Sequence, residues 1–327
     1  GNGTEKQYGQ KMGVLGYADA LSRITGNPYA AWYTDKHLNA MGKTLTDDDE
    51  FRWFRLKWVL PERPDPPGTL DLPAARAFPL TGTVNMHTAL TDAAQNLMVS
   101  MRASPYGSTS HAHSDQNGFN IQYGGEKLFY NSGYRPSMGV PHYVEWFKAS
   151  IGHNTLLIDG KGQPTASAES YGWLPRFIHG RAISYSLGDA SNAYDNYKEI
   201  PQKAGMKRFR RHLVLLRPSV IIVYDELEAD HDAGWSWLIH SHESISVDQE
   251  QNTLYCTTRT AASRVNLYSS GDLDIELSTK FDPEPVNFRG LKDSDGNIIE
   301  YKDQWHVYAR TTGPASRYLA VIQVMPR

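Results

Sequence analysis

At 327 residues the chain is long enough for two domains and a sizeable core, and its 33 Lys and Arg against 36 Asp and Glu leave a formal charge of -3. That balance gives no global basic field, so neither nucleic acid nor an anionic membrane is favoured as a partner, and no apolar run approaches the roughly 20 residues of a membrane span. The single Cys256 excludes an intramolecular disulfide and a cysteine-rich zinc module.

The opening GNGTEKQYG lacks the apolar core of a signal peptide and reads as a mature chain or an excised piece. Residues 1–60 read as helices. Tyr8, Met12, Leu15, Ala18 and Leu21 recur at helical spacing, and Gly26 is a natural stop. Asn27-Pro28 has the form of an N-cap followed by proline in the first turn, which predicts a second helix to about Met41 ending at Gly42. Thr46, with Asp47, Asp48 and Asp49 behind it, offers the cap of a third helix that continues through FRWFRLKWVL. Three short helices cannot close a domain. Their apolar stripes call for a larger helical array or for packing against the strands downstream.

Five prolines between Pro61 and Pro73 mark 61–81 as a linker. From residue 82 the period becomes two: Val84, Met86 and Leu90, then Leu97, Val99 and Met101, then Phe119, Ile121 and Tyr123. Gly124-Gly125 reads as a hairpin turn into KLFYN. HLVLL, SVIIVYDEL, GWSWLIH, TLYCTT, RVNLYSS, DIELST, WHVYART and RYLAVIQV continue the strand pattern. The fold predicted for 82–327 is therefore a large antiparallel β-sandwich in a mainly β chain.

The functional signal lies in SPYGSTSHAHSDQNGF, residues 104–119. Read as part of a strand, His111 and His113 share a face. Such a pair is open to two readings: exposed or hydrogen-bonded surface histidines, or metal ligands and acid–base groups. NSGY and SIGHNTLLIDGKGQ come next, with His153 opening another strand. Three histidines and an amide from adjacent strands would form a compact metal or catalytic cluster.

In order, S-H-x-H-x-D-Q-N, S-G-Y, P-H, W and H-N-T-x-x-x-D-G-x-G-Q, over residues 97–163, resemble the C-terminal β-domain of heparinase II/III-like polysaccharide lyases. That group includes heparin, heparan sulfate and oligoalginate lyases. The resemblance implies a sandwich packed against an incomplete (α/α) toroid, whose last turns the helices here look like and whose remainder is expected upstream. It implies an acidic, uronate-containing polysaccharide or oligosaccharide as substrate, cleavage by β-elimination, and a periplasmic or secreted location. The toroid's catalytic Asn/His and Tyr match no residue of this chain.

Carried over singly, His111 resembles the sandwich histidine that faces the substrate cleft, His113 the first zinc ligand and His153 the last. The family's middle ligand is acidic, whereas Asn131 stands there in this sequence. Its neutral amide brings no charge to offset a structural zinc, and nearby Asp115 could supply one. Tyrosines that precede the glycine before P-H in the family are replaced by Ser137-Met138, which leaves Tyr134 and Tyr143 as the neighbouring catalytic candidates.

Other residues carry blander readings. Asp225-Glu226 reads as a solvated strand end, His240 and His242 as surface or core-edge histidines, and KRFRRH (207–212) as exposed strand arginines rather than a glycan-binding face. Trp146 and Trp173 read as aromatic area buried in the sandwich rather than as rings that stack on sugars, and Asp159 shapes a turn. Three function classes stay open: a polysaccharide lyase; a non-catalytic carbohydrate-binding or degenerate relative, favoured by Asn131 and Ser137-Met138; and another metal-dependent β-sandwich enzyme such as a cupin, whose motif also begins H-x-H.

Overall fold

Asn27 does at the second helix what its position requires. Its side-chain oxygen accepts from the Tyr29 and Ala30 N–H groups at 2.9 and 3.3 Å, two donors that a helix start leaves without partners. A computed structural model describes residues 12–47, 60–194, 204–293 and 295–327. The chain divides into a unit ending at Leu72 and a larger one running from Pro73 to Arg327.

The first unit holds α1 (Met12–Thr25) and α2 (Pro28–Met41), with Gly42 in the left-handed conformation that closes α2. The buried face of α1 departs from the expected stripe. Leu21 is exposed, while Leu15, Asp19 and Ser22 are fully buried. Asp19 can be buried because Arg23 and Arg63 each reach its carboxylate at 3.0 Å. Arg63 also donates to both oxygens of Asp35, at 3.1 and 2.7 Å. Part of the stretch read as linker is thus a cationic clamp on both helices. The expected third helix, past Asp47, and Tyr8 of the first lie outside the described residues.

The second unit opens with β1 (Ala75–Phe78), also inside the 61–81 stretch; four residues are too few to display a period of two. It pairs with β2 (Thr83–His87), and β3 (Leu97–Arg102), β4 (Gly118–Tyr123) and β5 (Glu126–Phe129) complete a five-stranded antiparallel sheet in chain order. Gly124 and Gly125, both at positive φ, make the tight turn between β4 and β5.

The remaining strands are β6 (Leu156–Ile158), β7 (Trp173–His179), β8 (Ile183–Asp189), β9 (Met206–Leu216), β10 (Val220–Ser241), β11 (Ile245–Asp248), β12 (Thr253–Thr257), β13 (Ala261–Ser269), β14 (Asp274–Ser278) and β15 (Trp305–Pro326). They form a ten-stranded sheet in the order β11-β12-β13-β15-β10-β9-β8-β7, with β14 on β15 and β6 on β10. SVIIVYDEL and GWSWLIH, read as separate strands, are both β10. The polar ADHDA between them is an irregularity where the register with β15 shifts between Glu228 and Ala233. WHVYART and RYLAVIQV are likewise one strand, β15.

The predicted alternation places the core. Val84, Met86, Leu97, Val99, Met101, Phe119 and Ile121 of the small sheet are buried with Leu213, Leu215, Ile221, Val223, Trp235 and Trp237 of the large one. The same parity carries two charges inward. Arg211 alternates with Phe209 and Leu213, and Asp225 with Val223 and Leu227; β9 and β10 set the two directly opposite each other. Both side chains are 0 % exposed, joined by two hydrogen bonds at 2.8 and 2.6 Å. This corrects both bland readings: one of the arginines and one of the acids lie in the core. Arg208 and Arg210 point outward to Glu228 and Asp189.

Neighbouring arginines should therefore differ sharply. Arg211→Ala leaves Asp225 buried and unpaired and should cost about 3–5 kcal/mol of unfolding free energy or prevent folding. Arg210→Ala removes a pair whose arginine is half-exposed and should cost at most about 1 kcal/mol. Urea unfolding of the two variants checks this, and equal losses would contradict the inward placement of Arg211.

Candidate functional site

The His-x-His segment is not a strand. Between β3 and β4 the chain runs through successive turns, with Ser110 and Asn117 at positive φ, so strand parity does not decide where the imidazoles point. The two side chains part company: His111 is exposed and His113 half-buried.

Arg102, on the outward face at the end of β3, braces this loop. It pairs with Asp115 and donates to the Gly107 carbonyl at 2.9 Å. Gln116 accepts from the Ser104 N–H at 2.7 Å and donates to the Gly107 and Ser170 carbonyls. Asn117 donates to the Gly188 and Phe209 carbonyls. Each member of D-Q-N thus has one mechanical task. H-N-T is built alike: Asn154 donates to the Phe119 carbonyl at 2.9 Å and accepts from the His240 N–H, while Thr155 donates to the Gln116 carbonyl.

These two loops bring His113 and His153 together. His113 Nδ1 and His153 Nε2 are 3.1 Å apart, and Phe147 packs edge-on against the His113 ring. Two nitrogens on one tetrahedral zinc, each about 2.0–2.1 Å from the ion, would stand about 3.3 Å apart, so the spacing suits a shared metal as well as a hydrogen bond. The rest of the shell is thin. Among the described residues no group of three or more His, Cys, Asp or Glu is gathered for a metal. The Asn131 amide makes no hydrogen bond to either imidazole and lines the adjoining cleft instead. Asp115, the candidate substitute charge, is engaged by Arg102.

The tyrosines separate too. Tyr134 donates its hydroxyl to the Lys302 carbonyl at 2.8 Å, and burial raises its pKa. Its backbone lies over His142, whose Nδ1–H donates to the Pro283 carbonyl at 2.6 Å while Nε2 accepts from the Tyr134 N–H. Gly133 of S-G-Y has φ +96, and a Cβ there would meet Trp146 at 2.7 Å, so only glycine fits. Tyr143 is buried and stacks on Phe147, with Arg135 and Lys148 over its ring at 5.6 and 5.9 Å. Of the two it stands nearer the histidine pair. Lys148 donates to the Ser110 carbonyl at 2.5 Å, next to His111.

Beside the pair, the outward face of the small sheet forms a shallow cleft of about 200 Å³, with Asn85, Ser100, Arg102, Asn120 and Asn131 among its lining. Asn85, Ser100 and Asn120 stand opposite one another across β2, β3 and β4. Sequence reasoning missed this wall and the cations Arg102, Arg135 and Lys148. Arg102 was within reach of it, since it falls on the parity opposite Val99 and Met101. Lys148 offered no periodic signal.

Comparison with known proteins supplies a context for this geometry. A family model described as heparinase II/III-like, C-terminal, matches residues 71–291. No curated protein matches the sequence. Among solved structures, the chain is similar to the heparinase III BT4657 gene product, with a TM-score of 0.64 and 14% identity over 96% of this chain and 41% of that one. It is similar to heparan sulfate lyase HepC from Pedobacter heparinus, with a TM-score of 0.63 and 11% identity over 96% and 42%. A third, heparinase III, gives 0.58 and 15% over 81% and 38%. The chain thus spans about two fifths of the length of these structures, and at such identities the likeness is one of fold.

The pair continues into a string of buried imidazoles. His240 and His306 meet Nδ1 to Nδ1 at 3.1 Å, Ser132 lies 3.3 Å from His306, and Trp146 donates to Ser132 at 3.0 Å. His240 is fully buried, not at a surface or core edge, and Trp146 is buried against Phe281 and His306. Burial holds His153 and His240 well below the ordinary histidine pKa and His306 down at about 3; His113 and His142 are lowered for the same reason. Exposed His231 is the opposite case, raised by Asp230 and Asp159. A neutral buried imidazole binds fewer protons than its unfolded counterpart. Its contribution is complete above about pH 6.5 and is lost as pH falls toward the folded pKa. In histidine ring NMR, the His153, His240 and His306 signals should stay flat from about pH 8 to 5.5 while His231 titrates above the free value of about 6.5. A buried histidine titrating near its free value would contradict the dry packing.

Proposed function

The chain belongs to the heparinase II/III-like C-terminal family, and from that premise we propose that it is the sandwich part of a polysaccharide lyase acting on an acidic, uronate-containing chain by β-elimination. One observation carries the reading: exposed His111 stands on a loop that Arg102 and the His113–His153 pair fix beside a polar cleft.

β-Elimination needs three things. The uronate carboxylate must be neutralised so that the C5 proton becomes acidic, a base must take that proton, and an acid must protonate the departing O4. On this wall, exposed Arg135 offers positive charge for the carboxylate, and Arg102 and Lys148, already held by Asp115 and the Ser110 carbonyl, add to the local field. His111, on the solvent side of the loop, is the group proposed to move a proton. Tyr143 is the tyrosine proposed to accompany it, because the Tyr134 hydroxyl is committed to Lys302. The proposed substrate is heparin-like or alginate-like, and the protein is proposed to work in the periplasm or outside the cell.

A zinc ion is proposed only as a tie between the two loops, held by His113 Nδ1 and His153 Nε2 with Asn131 or water completing the shell. When bound it would supply rigidity rather than chemistry. Without it, the His113–His153 hydrogen bond makes the same connection. The second reading, a non-catalytic carbohydrate-binding relative, is favoured by the amide at Asn131.

The chain spans about two fifths of the lyases it resembles, and base, acid and neutralising donors must be fixed together for turnover. The 327-residue chain alone should therefore produce little ultraviolet-absorbing unsaturated uronate from heparan sulfate, heparin, alginate, hyaluronan or chondroitin. A longer form carrying a full helical domain should produce it, and His111→Ala should remove most of it. Strong activity of the short chain would sink the proposed division of labour, and none from either form would favour the binding-only reading. Elemental analysis, with thermal melting before and after chelation, tests the tie: a zinc-bearing protein that melts lower once stripped supports it.

A further inference from the structure

A second cleft lies on the opposite face of the sandwich. The residues of β7, β8, β9 and β10 that point away from the core enclose about 420 Å³, and Trp173, Arg176, Tyr185, Arg210, His212 and Glu226 are among those lining it. None of these belongs to the site described above.

Trp173 stands on β7, the edge strand of the large sheet, with 41% of its surface exposed. A tryptophan that meant only to pack would turn inward, as Trp235 and Trp237 do. Tyr171 leans on its ring at 5.5 Å between centroids, which supports the indole from the side. A broad exposed aromatic held in this way is a stacking surface for the C–H face of a pyranose ring. Pro175, two residues on, contributes no N–H donor at this part of the edge.

Charge around the ring is sorted. Arg210 is matched by Asp189 at 3.0 Å, whereas Arg176 has no carboxylate partner among the described residues. It lines the cleft without an ion-pair contact of its own, and Glu226 is a carboxylate in the same lining. Behind it stands a hydrogen-bonded pair, Tyr185 and His212. The Tyr185 hydroxyl is 2.9 Å from His212 Nδ1, and His212 Nε2 is 3.8 Å from Glu226 and buried without a hydrogen-bond partner. The Tyr185 hydroxyl and His212 Nδ1 share a single hydrogen bond, and a hydroxyl carries one donor and two acceptor sites. In either tautomer of His212 a lone pair of the phenolic oxygen remains to accept from a sugar hydroxyl.

From an exposed indole, a guanidinium without an ion-pair contact and a hydroxyl with a free lone pair in one cleft, we propose that this face is a second glycan-binding site, taking an acidic oligosaccharide through its ring and its carboxylate or sulfate. Trp173 stacks, Arg176 meets the anion, and Tyr185 accepts from a ring hydroxyl. A glycan held here would keep the protein on a long polymer while the other face works. The site requires only that the chain meet an acidic glycan; it does not require that this chain cleave one.

The test is calorimetric titration of the 327-residue chain with size-defined oligosaccharides: alginate, which carries only carboxylates, heparan sulfate, which carries sulfates too, and a neutral glucan. Alginate and heparan sulfate binding alike assigns the anion contact to the carboxylate; heparan sulfate alone assigns it to sulfate. In either case Trp173→Ala should weaken binding about tenfold or more, tryptophan being among the anchors whose truncation costs binding sites most. Arg176→Gln should weaken binding and reduce its salt dependence, because it removes the charge but keeps much of the side chain. His111→Ala should leave this binding in place, which separates the site from the proposed lyase cleft. No binding of any acidic oligosaccharide, or binding that Trp173→Ala and Arg176→Gln leave unchanged, overturns the proposal. So does a preference for the neutral glucan. Circular dichroism of each variant guards against unfolding, and none of these outcomes depends on detecting elimination products.

Discussion

A single buried guanidinium holds the two functional loops to the sandwich. Arg211 is bonded twice to Asp225 on the facing strand, and its other nitrogen donates to the carbonyls of Asn117 and Asn154 at 2.6 and 2.7 Å. Those carbonyls close the His113 loop and open the strand approach after His153. A guanidinium suits this place because it presents several donors in a fixed plane, and Phe119 and Phe209 lie against it at about 5 Å. An ammonium has three donors and could not satisfy all four acceptors. With water shut out, each acceptor left without a donor would carry its full desolvation cost.

The rest of the site inherits its precision from that anchor. Gln116, Gln163 and Thr155 spread the same logic outward: Gln163 accepts from the Gln116 N–H, donates to its carbonyl, and reaches the Tyr194 hydroxyl. The long motif is in large part a recipe for satisfying buried backbone groups on irregular loops, which cannot satisfy themselves as a strand does. Only the residues left over from that task are available for chemistry. His111 is one, and Arg135 above Tyr143 is another. Asn131 fits this pattern, its backbone N–H paired with Asn120 and its amide facing the cleft.

The two faces of the sandwich differ in kind. Outward residues of the small sheet are amides and hydroxyls beside a braced arginine, next to a dry, neutral histidine string. Outward residues of the large sheet combine an exposed indole, ion pairs, and an Arg176 that makes no ion pair among the described residues. Both rest on a common apolar interior, so each can change its polar groups without disturbing the packing that supports the other.

The architecture was largely legible in the sequence because it derives from local rules. A period of two, a Gly-Gly turn, an Asn-Pro cap and a glycine stop each act over a few residues, and the sandwich and both helix boundaries of α2 result from them. Motif order also marked the loops that bear His111, His113 and His153. Parity held further information: Phe209, Leu213, Val223 and Leu227 already imply that Arg211 and Asp225 point inward. Only the register of β9 on β10 shows that they meet, and pairing is what makes an inward charge tolerable. Strand parity misled at His111 and His113, since the turns that part them are set by Arg102, Gln116 and Asn117 reaching carbonyls far away in sequence. Asp19, the continuity of β10 and β15, the commitment of Tyr134 to Lys302 and the exposure of Trp173 were likewise decided by partners at long range. Periodicity reports which face a residue takes; what it meets there depends on the tertiary fold, because burial and hydrogen bonding are settled by neighbours that the local sequence does not contain.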